Sequence, residues 1–128
     1  MKFKYTILYV EDVAATLAFY ENAFGMKTAM LHESGDYGEL SSGDTTLSFS
    51  SLALMEQLGK SPSRVNGNAP CFEIAFETEE VERDLEKATA AGAVLVQDVE
   101  HMPWGQTTAY VKDLNGFLVE ICSPIQPQ

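Results

Sequence analysis

The residues of this 128-residue chain best suited to chemistry are two glutamates in its second half. Glu120 lies between Val119 and Ile121 in an apolar, strand-like segment, and Glu73 lies near the start of an earlier one. Carboxylates that line a shared cavity are suited to general acid–base work. Solvent exposure is the simpler explanation for a glutamate in a strand. The apolar neighbours of Glu120 argue against that explanation for this residue.

The two glutamates belong to a pattern that the chain contains twice. Each copy has a strand, an amphipathic helix and three further strands, and its helix ends at a glycine, Gly25 in the first copy and Gly92 in the second. A glycine just past the last apolar residue is typical of a helix end. The pattern predicts an α+β fold of two tandem βαβββ modules.

The predicted boundaries follow from the turn residues. Module one covers 1–50, a connection rich in Gly, Pro and Asn covers 51–70, and module two covers 71–123, all within a single domain over 1–128. Asp12 and Thr78 are the predicted N-caps of the two helices. The connection is either a ligand lid or a plain linker. Predicted strands cover 3–10, 27–32, 37–40, 46–49, 71–77, 94–99, 107–112 and 117–121, with an Asn115-Gly116 turn before the last.

The repeat also predicts which side chains share a surface. A sheet that covers one face with a helix leaves the other face free, and the free face can carry Tyr5 and Glu73 on the first strands. On the last strand of each module it can carry Ser48 and Glu120. If the modules face each other, these four side chains converge on one cavity.

Composition limits the classes of partner. The net charge of −11 argues against nucleic-acid binding and would favour a cationic ligand, although a solvated acidic surface is the more common explanation of such a charge. Without a signal peptide or 18 consecutive apolar residues, we expect a cytoplasmic protein with no membrane association. Cys71 and Cys122 lack metal-ligand spacing and are predicted to be reduced thiols in apolar strands.

Further ligand contacts are predicted around a tryptophan. Trp104 precedes a glycine and a strand, where an indole can form the wall of a pocket or simply plug the end of the sheet. Tyr9 and Gln106 could supply a hydroxyl and an amide. Of the two histidines, His32 lies outside the pattern, and His101 is either at a cavity mouth or in a surface loop.

Four segments resemble the vicinal oxygen chelate superfamily, which includes glyoxalase I, bleomycin-resistance proteins and extradiol dioxygenases. They are Tyr5–Val13, Ala18–Gly25, Trp104–Gln106 and Asp113–Glu120, and the resemblance covers almost the whole chain. It implies a glyoxalase/bleomycin-resistance-like domain whose modules form a half-open barrel cavity. It also implies a homodimer, in which Tyr5 and Ser48 of one chain face Glu73 and Glu120 of the other.

Metal-dependent members of that superfamily use histidines and glutamates on the first and last strands of each module. Carried onto this chain, those positions are Tyr5, Ser48, Glu73 and Glu120, and only Glu120 retains the usual ligand. One or two carboxylates and a phenol suit Zn, Ni or Fe poorly. We therefore expect no cofactor, with a weak Mg or Mn site at Glu73 and Glu120 as the lesser alternative.

Two functions remain in competition. One is a metal-free protein of the bleomycin-resistance kind that binds a small cationic or aromatic molecule. The other is a glyoxalase-like lyase or isomerase in which Glu73 and Glu120 form an acid–base or weak metal-ligand pair. The missing histidines favour the first, since the fold alone hosts many chemistries. Nothing in the sequence supports a third possibility, a subunit without a ligand of its own.

Overall fold

The computed structural model describes residues 1–126, and the chain divides after Arg64 into two compact units. Each unit contains one four-stranded sheet and a helix that covers it. The first unit contains β1 (Tyr5–Val10), α1 (Val13–Phe24), β2 (Lys27–Leu31), β3 (Tyr37–Ser41), β4 (Thr46–Ser51) and α2 (Leu52–Gln57). The second contains β5 (Ile74–Glu77), α3 (Val81–Ala90), β6 (Val94–Met102), β7 (Gln106–Lys112) and β8 (Leu118–Cys122).

The two sheets have the same topology. Their strand orders are β1-β4-β3-β2 and β5-β8-β7-β6, so the first and last strands of each module are neighbours. That central pair is parallel in both sheets, while the other pairs are antiparallel. The predicted α+β fold of two βαβββ modules is confirmed.

The core of the first unit lies between α1 and one face of its sheet. Asp12 caps α1 by accepting a hydrogen bond from the Ala15 N–H at 2.9 Å, as predicted, and Gly25 ends the helix with a φ of 69°. Tyr20 is fully buried, with its ring centroid 5.1 Å from that of Phe49 on β4. The apolar stripe of α1 therefore covers the sheet face that carries Phe49.

The second core lies between α3 and its own sheet, but α3 begins differently from the prediction. Thr78 is not the N-cap; the cap is Glu80, whose side chain makes no capping hydrogen bond. The Thr78 hydroxyl instead accepts from the Glu80 N–H at 3.1 Å and donates to Asp84 Oδ2 at 2.6 Å. Thr78 lies two residues before the cap. Its hydroxyl still connects the preceding turn to the helix, because it is hydrogen-bonded to Asp84 in the first helical turn.

The second module departs from the prediction mainly at the start of β5 and at the end of β6, which runs to Met102 and not to residue 99. Strand β5 begins at Ile74, three residues later than predicted, so Cys71 precedes the strand and is exposed. Cys122 is buried at the end of β8, as predicted. The apolar residues Cys71 and Phe72 resemble the start of a strand, but the strand pairing with β8 begins only at Ile74.

The predicted turn before β8 is present, but an aspartate organises it. Asp113 is buried, and its Oδ1 accepts hydrogen bonds from the backbone N–H groups of Asn115, Gly116 and Phe117 at 2.8–2.9 Å. Gly116 has a φ of 101°, and Asn115 does not adopt a positive φ. This turn fixes how β7 aligns with β8 and therefore which of their side chains meet.

The predicted connection contains one short helix, α2, which Ser51 caps by accepting from the Leu54 N–H at 3.1 Å. After α2, Arg64 forms an ion pair with Glu11, which belongs to the same unit. Across residues 1–126, none of the helices has the length and apolar character needed to span a membrane.

Candidate functional site

The second sheet carries a group of polar side chains on the face opposite α3. Glu120 on β8 is directly opposite Tyr110 on β7 and Ala75 on β5. Paired residues of neighbouring strands point to the same face, so the Tyr110 and Glu120 side chains lie together. Glu73 precedes β5 and lies two residues from Ala75, which places it along the same face. We call Glu73, Tyr110 and Glu120 the carboxylate–phenol group.

A short hydrogen bond holds this group together. The Tyr110 hydroxyl donates to Glu120 Oε2 at 2.8 Å, and both side chains are half-buried. Burial is the largest cause of a raised pKa for Tyr110, and the negative charges of Glu120 and then Glu73 raise the pKa further. Tyr110 is therefore a protonated hydrogen-bond donor throughout the ordinary pH range.

Glu73 acts on the same hydroxyl from the other side. It is exposed, and its negative charge lies close enough to the Tyr110 hydroxyl to raise the pKa of that phenol. A phenol has a single proton, and here Glu120 receives it. Glu73 therefore offers carboxylate oxygens to a donor that arrives from outside the group. The structure brings the two predicted glutamates together, around a tyrosine that the sequence analysis did not identify.

The buried Cys122 thiol lies beside this group but is not a nucleophile. Burial raises the pKa of Cys122, and the charges of Glu120 and Glu77 raise the pKa further. The reactive form of cysteine is the thiolate, which this surrounding disfavours. Cys122 is therefore a small, apolar-like packing residue rather than a reactive group.

The first sheet carries a second polar group on its own uncovered face. Ser48 on β4 is fully buried and is paired in register with Ile7 on β1 and Glu39 on β3. The Tyr37 hydroxyl donates to Glu39 Oε2 at 2.7 Å. Burial raises the pKa of Tyr37, a hydrogen bond with Ser48 lowers it, and the charges of Glu39 and Tyr5 raise it. Tyr5 and Ser48 thus share their face with a hydrogen-bonded Tyr37–Glu39 pair that residue type alone did not identify.

Tyr9 extends the polar group of the first sheet by one row. Its register partner on β4 is Ser50, whose partner on β3 is Tyr37. Tyr9 and Tyr37 therefore flank Ser50 on one face. The structure places three tyrosines, Tyr5, Tyr9 and Tyr37, along this face.

The missed residues had a signal in the sequence. Tyr110 alternates with apolar residues in β7, and the turn at Asp113 fixes the alignment of β7 and β8. Counting outward from that turn pairs Lys112 with Leu118, and then Tyr110 with Glu120. Hairpin register therefore identifies Tyr110, whereas residue type alone does not. Tyr37 and Glu39 alternate in β3 in the same way.

Trp104 and Gln106 are held together at the turn between β6 and β7. The indole Nε1–H of Trp104 donates to Gln106 Oε1 at 2.8 Å, and the Gln106 amide Nε2–H donates to the Ser123 carbonyl at 3.1 Å. Trp104 is 47% exposed, so it does not plug the end of its sheet. Its ring is available as a flat apolar surface, although its N–H already has a partner.

The two histidines lie away from these groups. His32 Nδ1 is 2.8 Å from the Ser34 hydroxyl within a turn. His101 lies in β6, and its Nδ1 is 2.9 Å from Thr107 Oγ1. It borders an open cleft of about 260 Å³ at the start of α3, on the helix-covered side of the second sheet. His101 is therefore a strand residue and does not belong to the carboxylate–phenol group.

The donor set does not fit a transition metal. Within residues 1–126, no three His, Cys, Asp or Glu side chains are grouped so that they could hold a metal ion. At the positions that the superfamily resemblance assigns to ligands, this chain has a phenol, a buried hydroxyl and two carboxylates. These groups lack the imidazole donors that suit Zn, Ni and Fe.

The model of the Glyoxalase/Bleomycin resistance protein/Dioxygenase superfamily matches residues 2–121. No curated protein matches the chain.

Several solved structures share the fold. A glyoxalase/bleomycin resistance protein/dioxygenase family enzyme from Burkholderia phytofirmans PsJN is 21% identical, with a TM-score of 0.81 and coverage of 96% of this chain and 98% of that one. A glyoxalase-related enzyme from Fulvimarina pelagi is 22% identical, with a TM-score of 0.79 over 97% and 88% of the two chains. TioX from Micromonospora sp. ML1 is 20% identical, with a TM-score of 0.74 over 96% and 98%. At these identities the likeness concerns the fold.

Proposed function

This chain belongs to the Glyoxalase/Bleomycin resistance protein/Dioxygenase superfamily, and we propose that it binds a small cationic molecule without the help of a metal ion. The carboxylate–phenol group forms the centre of the proposed site. The observation that carries the proposal is the hydrogen bond from Tyr110 to Glu120, because it leaves Glu73 beside the same hydroxyl without that proton. A protonated amine supplies both the charge and the donors that this arrangement lacks.

The charge of the chain supports a cationic ligand. Nineteen acidic residues outnumber eight Lys and Arg, giving a net charge of −11. The field of such a protein raises the local concentration of cations and speeds their association at low ionic strength. The half-buried position of Glu120 strengthens its attraction for a cation, since solvent screens partly buried charges less than exposed ones.

Aromatic side chains favour an amine that also carries a ring. Trp104 presents an indole ring at the β6–β7 turn, and the first sheet presents Tyr5 and Tyr9 on the same face as Ser48. Aromatic rings attract both other rings and cations. We propose Trp104 and Gln106 as further ligand contacts in the second unit, and Tyr5, Tyr9 and Ser48 as the ligand-binding face of the first unit considered by itself.

The test is calorimetric titration of the metal-stripped protein with phenethylamine, an aromatic primary amine. We expect saturable binding that weakens as salt is raised and is lost in Glu120→Gln. The control is Glu86→Gln, which removes one charge from an exposed position in α3. Equal losses of affinity in the two variants would show that the effect comes from the net charge of the protein alone. Tighter binding of phenylacetate than of phenethylamine would refute a cation site.

Metal dependence is tested on the same protein. We expect binding to survive treatment with a chelator and to be unchanged by Ni, Zn, Mn or Mg. A saturable thermal shift with one of these ions that disappears in Glu120→Gln would instead support a metal-dependent protein.

The same group supports a second candidate, a glyoxalase-like lyase or isomerase. A phenol that contacts two carboxylates can pass a proton between them, so Glu73 and Glu120 could serve as the acid–base pair. The assay uses the hemithioacetal of methylglyoxal and glutathione, with product formation followed by absorbance. Turnover that is lost in both Glu73→Gln and Glu120→Gln would favour the enzyme, whereas amine binding without turnover would favour the binding protein.

We also propose that the protein is a homodimer, as the superfamily resemblance implies. Light scattering on the purified protein measures its mass directly. A mass near 28 kDa, twice the 14.1 kDa of one chain, is the expected result, and a mass of one chain would contradict the proposal.

A further inference from the structure

Thr108 on β7 has a buried hydroxyl without a partner. The residue is only 2% exposed, and its Oγ1 makes no hydrogen bond to any residue that the structure describes. Nearly all buried polar side-chain atoms in proteins are hydrogen-bonded, and an unpaired one costs free energy. Valine has the same shape without the hydroxyl. A threonine at this position therefore indicates that the hydroxyl has a partner during function.

The position of Thr108 connects it with the carboxylate–phenol group. Thr108 and Tyr110 are two residues apart in β7, so their side chains point to the same face, about 7 Å apart along the strand. The register partners of Thr108 are Cys122 on β8 and Glu100 on β6, and those of Tyr110 are Glu120 and Gln97 on the same two strands. Thr108 thus belongs to the adjacent row of the same face.

The surroundings of Thr108 limit the identity of its missing partner. Cys122 is paired in register with Glu77 on β5, and the charges of Glu120 and Glu77 both act on the Cys122 thiol. A metal ion is a poor match, because the described residues contain no group of three ligating side chains. Glu77 and Glu100 make this row acidic, which disfavours an anionic partner, whereas a neutral alcohol or phenol can both donate to the hydroxyl and accept from it.

We propose that Thr108 is a specificity-determining contact that receives a second polar group of the ligand once the side chains that cover its hydroxyl in the free protein move aside. This inference rests on the proposed function, in which an ammonium group binds the carboxylates of Glu73 and Glu120. It adds a requirement on the ligand's shape. The preferred molecule has an ammonium at one end and a hydroxyl one strand row away, separated by an apolar or aromatic spacer.

The test compares two amines that differ by a single hydroxyl, tyramine and phenethylamine. In the wild-type protein we expect tyramine to bind about tenfold more tightly than phenethylamine, since one added hydrogen bond to an otherwise unpaired group contributes on this order. In Thr108→Val we expect the affinity for tyramine to fall to that for phenethylamine, while the affinity for phenethylamine stays unchanged. Thr108→Ser, which retains the hydroxyl, keeps most of the preference.

Thr107→Val is the matched control. Thr107 is the next residue in β7, faces the opposite side, and its hydroxyl is 2.9 Å from His101 Nδ1. We expect this variant to keep the tyramine preference and to lower the Tm of the free protein. Thr108→Val is expected to raise the Tm, because it removes a buried polar atom without a partner.

Each outcome separates the two proposals. Phenethylamine binding that depends on Glu120 but gains nothing from the extra hydroxyl would overturn the role of Thr108 and leave the cation site intact. Failure of both amines to bind would overturn the cation site and, with it, the proposed Thr108 contact. A fall in Tm for Thr108→Val would show that the hydroxyl is already satisfied in the free protein, which also contradicts the inference.

Discussion

The Tyr110 hydroxyl and Glu120 Oε2 lie 2.8 Å apart because β7 and β8 are aligned so that these two residues are directly opposite each other. Both side chains are half-buried on the face of the second sheet that α3 does not cover. Burial strengthens their hydrogen bond and keeps the phenol protonated. This pair organises the site, since Glu73 acts on the same hydroxyl.

The first prediction concerns alkaline pH. The pKa of Tyr110 is raised above its ordinary value of 10.0 in the folded protein. The folded state therefore holds the proton more tightly than the unfolded state, and the resulting stability is complete below pH 10 and falls as pH rises above it. We expect the free energy of unfolding to decline less steeply above pH 10 in Tyr110→Phe than in the wild type, measured by urea unfolding at a series of pH values.

Tyr9→Phe serves as the control for the alkaline experiment, because it also removes one phenol from a half-buried strand position. Identical pH profiles for wild type and Tyr110→Phe would show that Tyr110 ionises alike in the folded and unfolded states.

The second prediction concerns the aspartate that organises the turn before β8. Asp113→Ala removes the acceptor of three backbone N–H groups at a position that is 4% exposed. We expect a loss of about 2–4 kcal/mol in the free energy of unfolding, since buried donors lose a charged acceptor. Urea unfolding measures the loss, and Asp44→Ala in an exposed turn of the first unit should change stability little. Comparable effects in the two variants would contradict this role for Asp113.

The third prediction concerns close packing in the first unit. A Cβ added at Gly38 on β3 would lie 2.6 Å from Leu17 Cδ1 and 3.1 Å from Val13 Cγ1 of α1. We expect Gly38→Ala to destabilise the protein by about 1–3 kcal/mol, because the helix must shift or its side chains must leave their preferred rotamers. The measurement is thermal unfolding. Gly67→Ala, whose nearest contact would be 3.4 Å away, should have a much smaller effect, and equal shifts would contradict the packing argument.

The fourth prediction separates ligand binding from folding at Trp104. The indole is 47% exposed and its main polar contact is with Gln106, so Trp104→Ala should lower the Tm only slightly. We expect it to weaken phenethylamine binding at least severalfold through loss of the ring surface, with partial recovery in Trp104→Phe. Calorimetry and thermal unfolding of the same samples provide both values. A large fall in Tm with unchanged affinity would assign Trp104 to packing.

The sequence by itself determined the modules and the face on which their polar residues lie. The apolar spacing of α1, its cap at Asp12 and the glycines that follow both long helices are local signals, because each acts over a single turn of chain. Strand alternation is local as well, and it correctly placed Ser48 and Glu120 on the faces opposite the helices. The capping of α3 was predicted wrongly because Thr78 and Glu80 both lie close enough to the helix start to compete for that position.

Only the tertiary structure decided which polar residues meet. Tyr110 is ten residues from Glu120 in the chain, and their contact depends on an alignment that a shift of one residue would destroy, since neighbouring side chains in a strand point to opposite faces. Thr108 looks like any strand threonine until its burial and the lack of a partner for its hydroxyl are known. Local sequence fixes the face of a side chain, whereas pairing across strands and burial arise only when distant segments pack together.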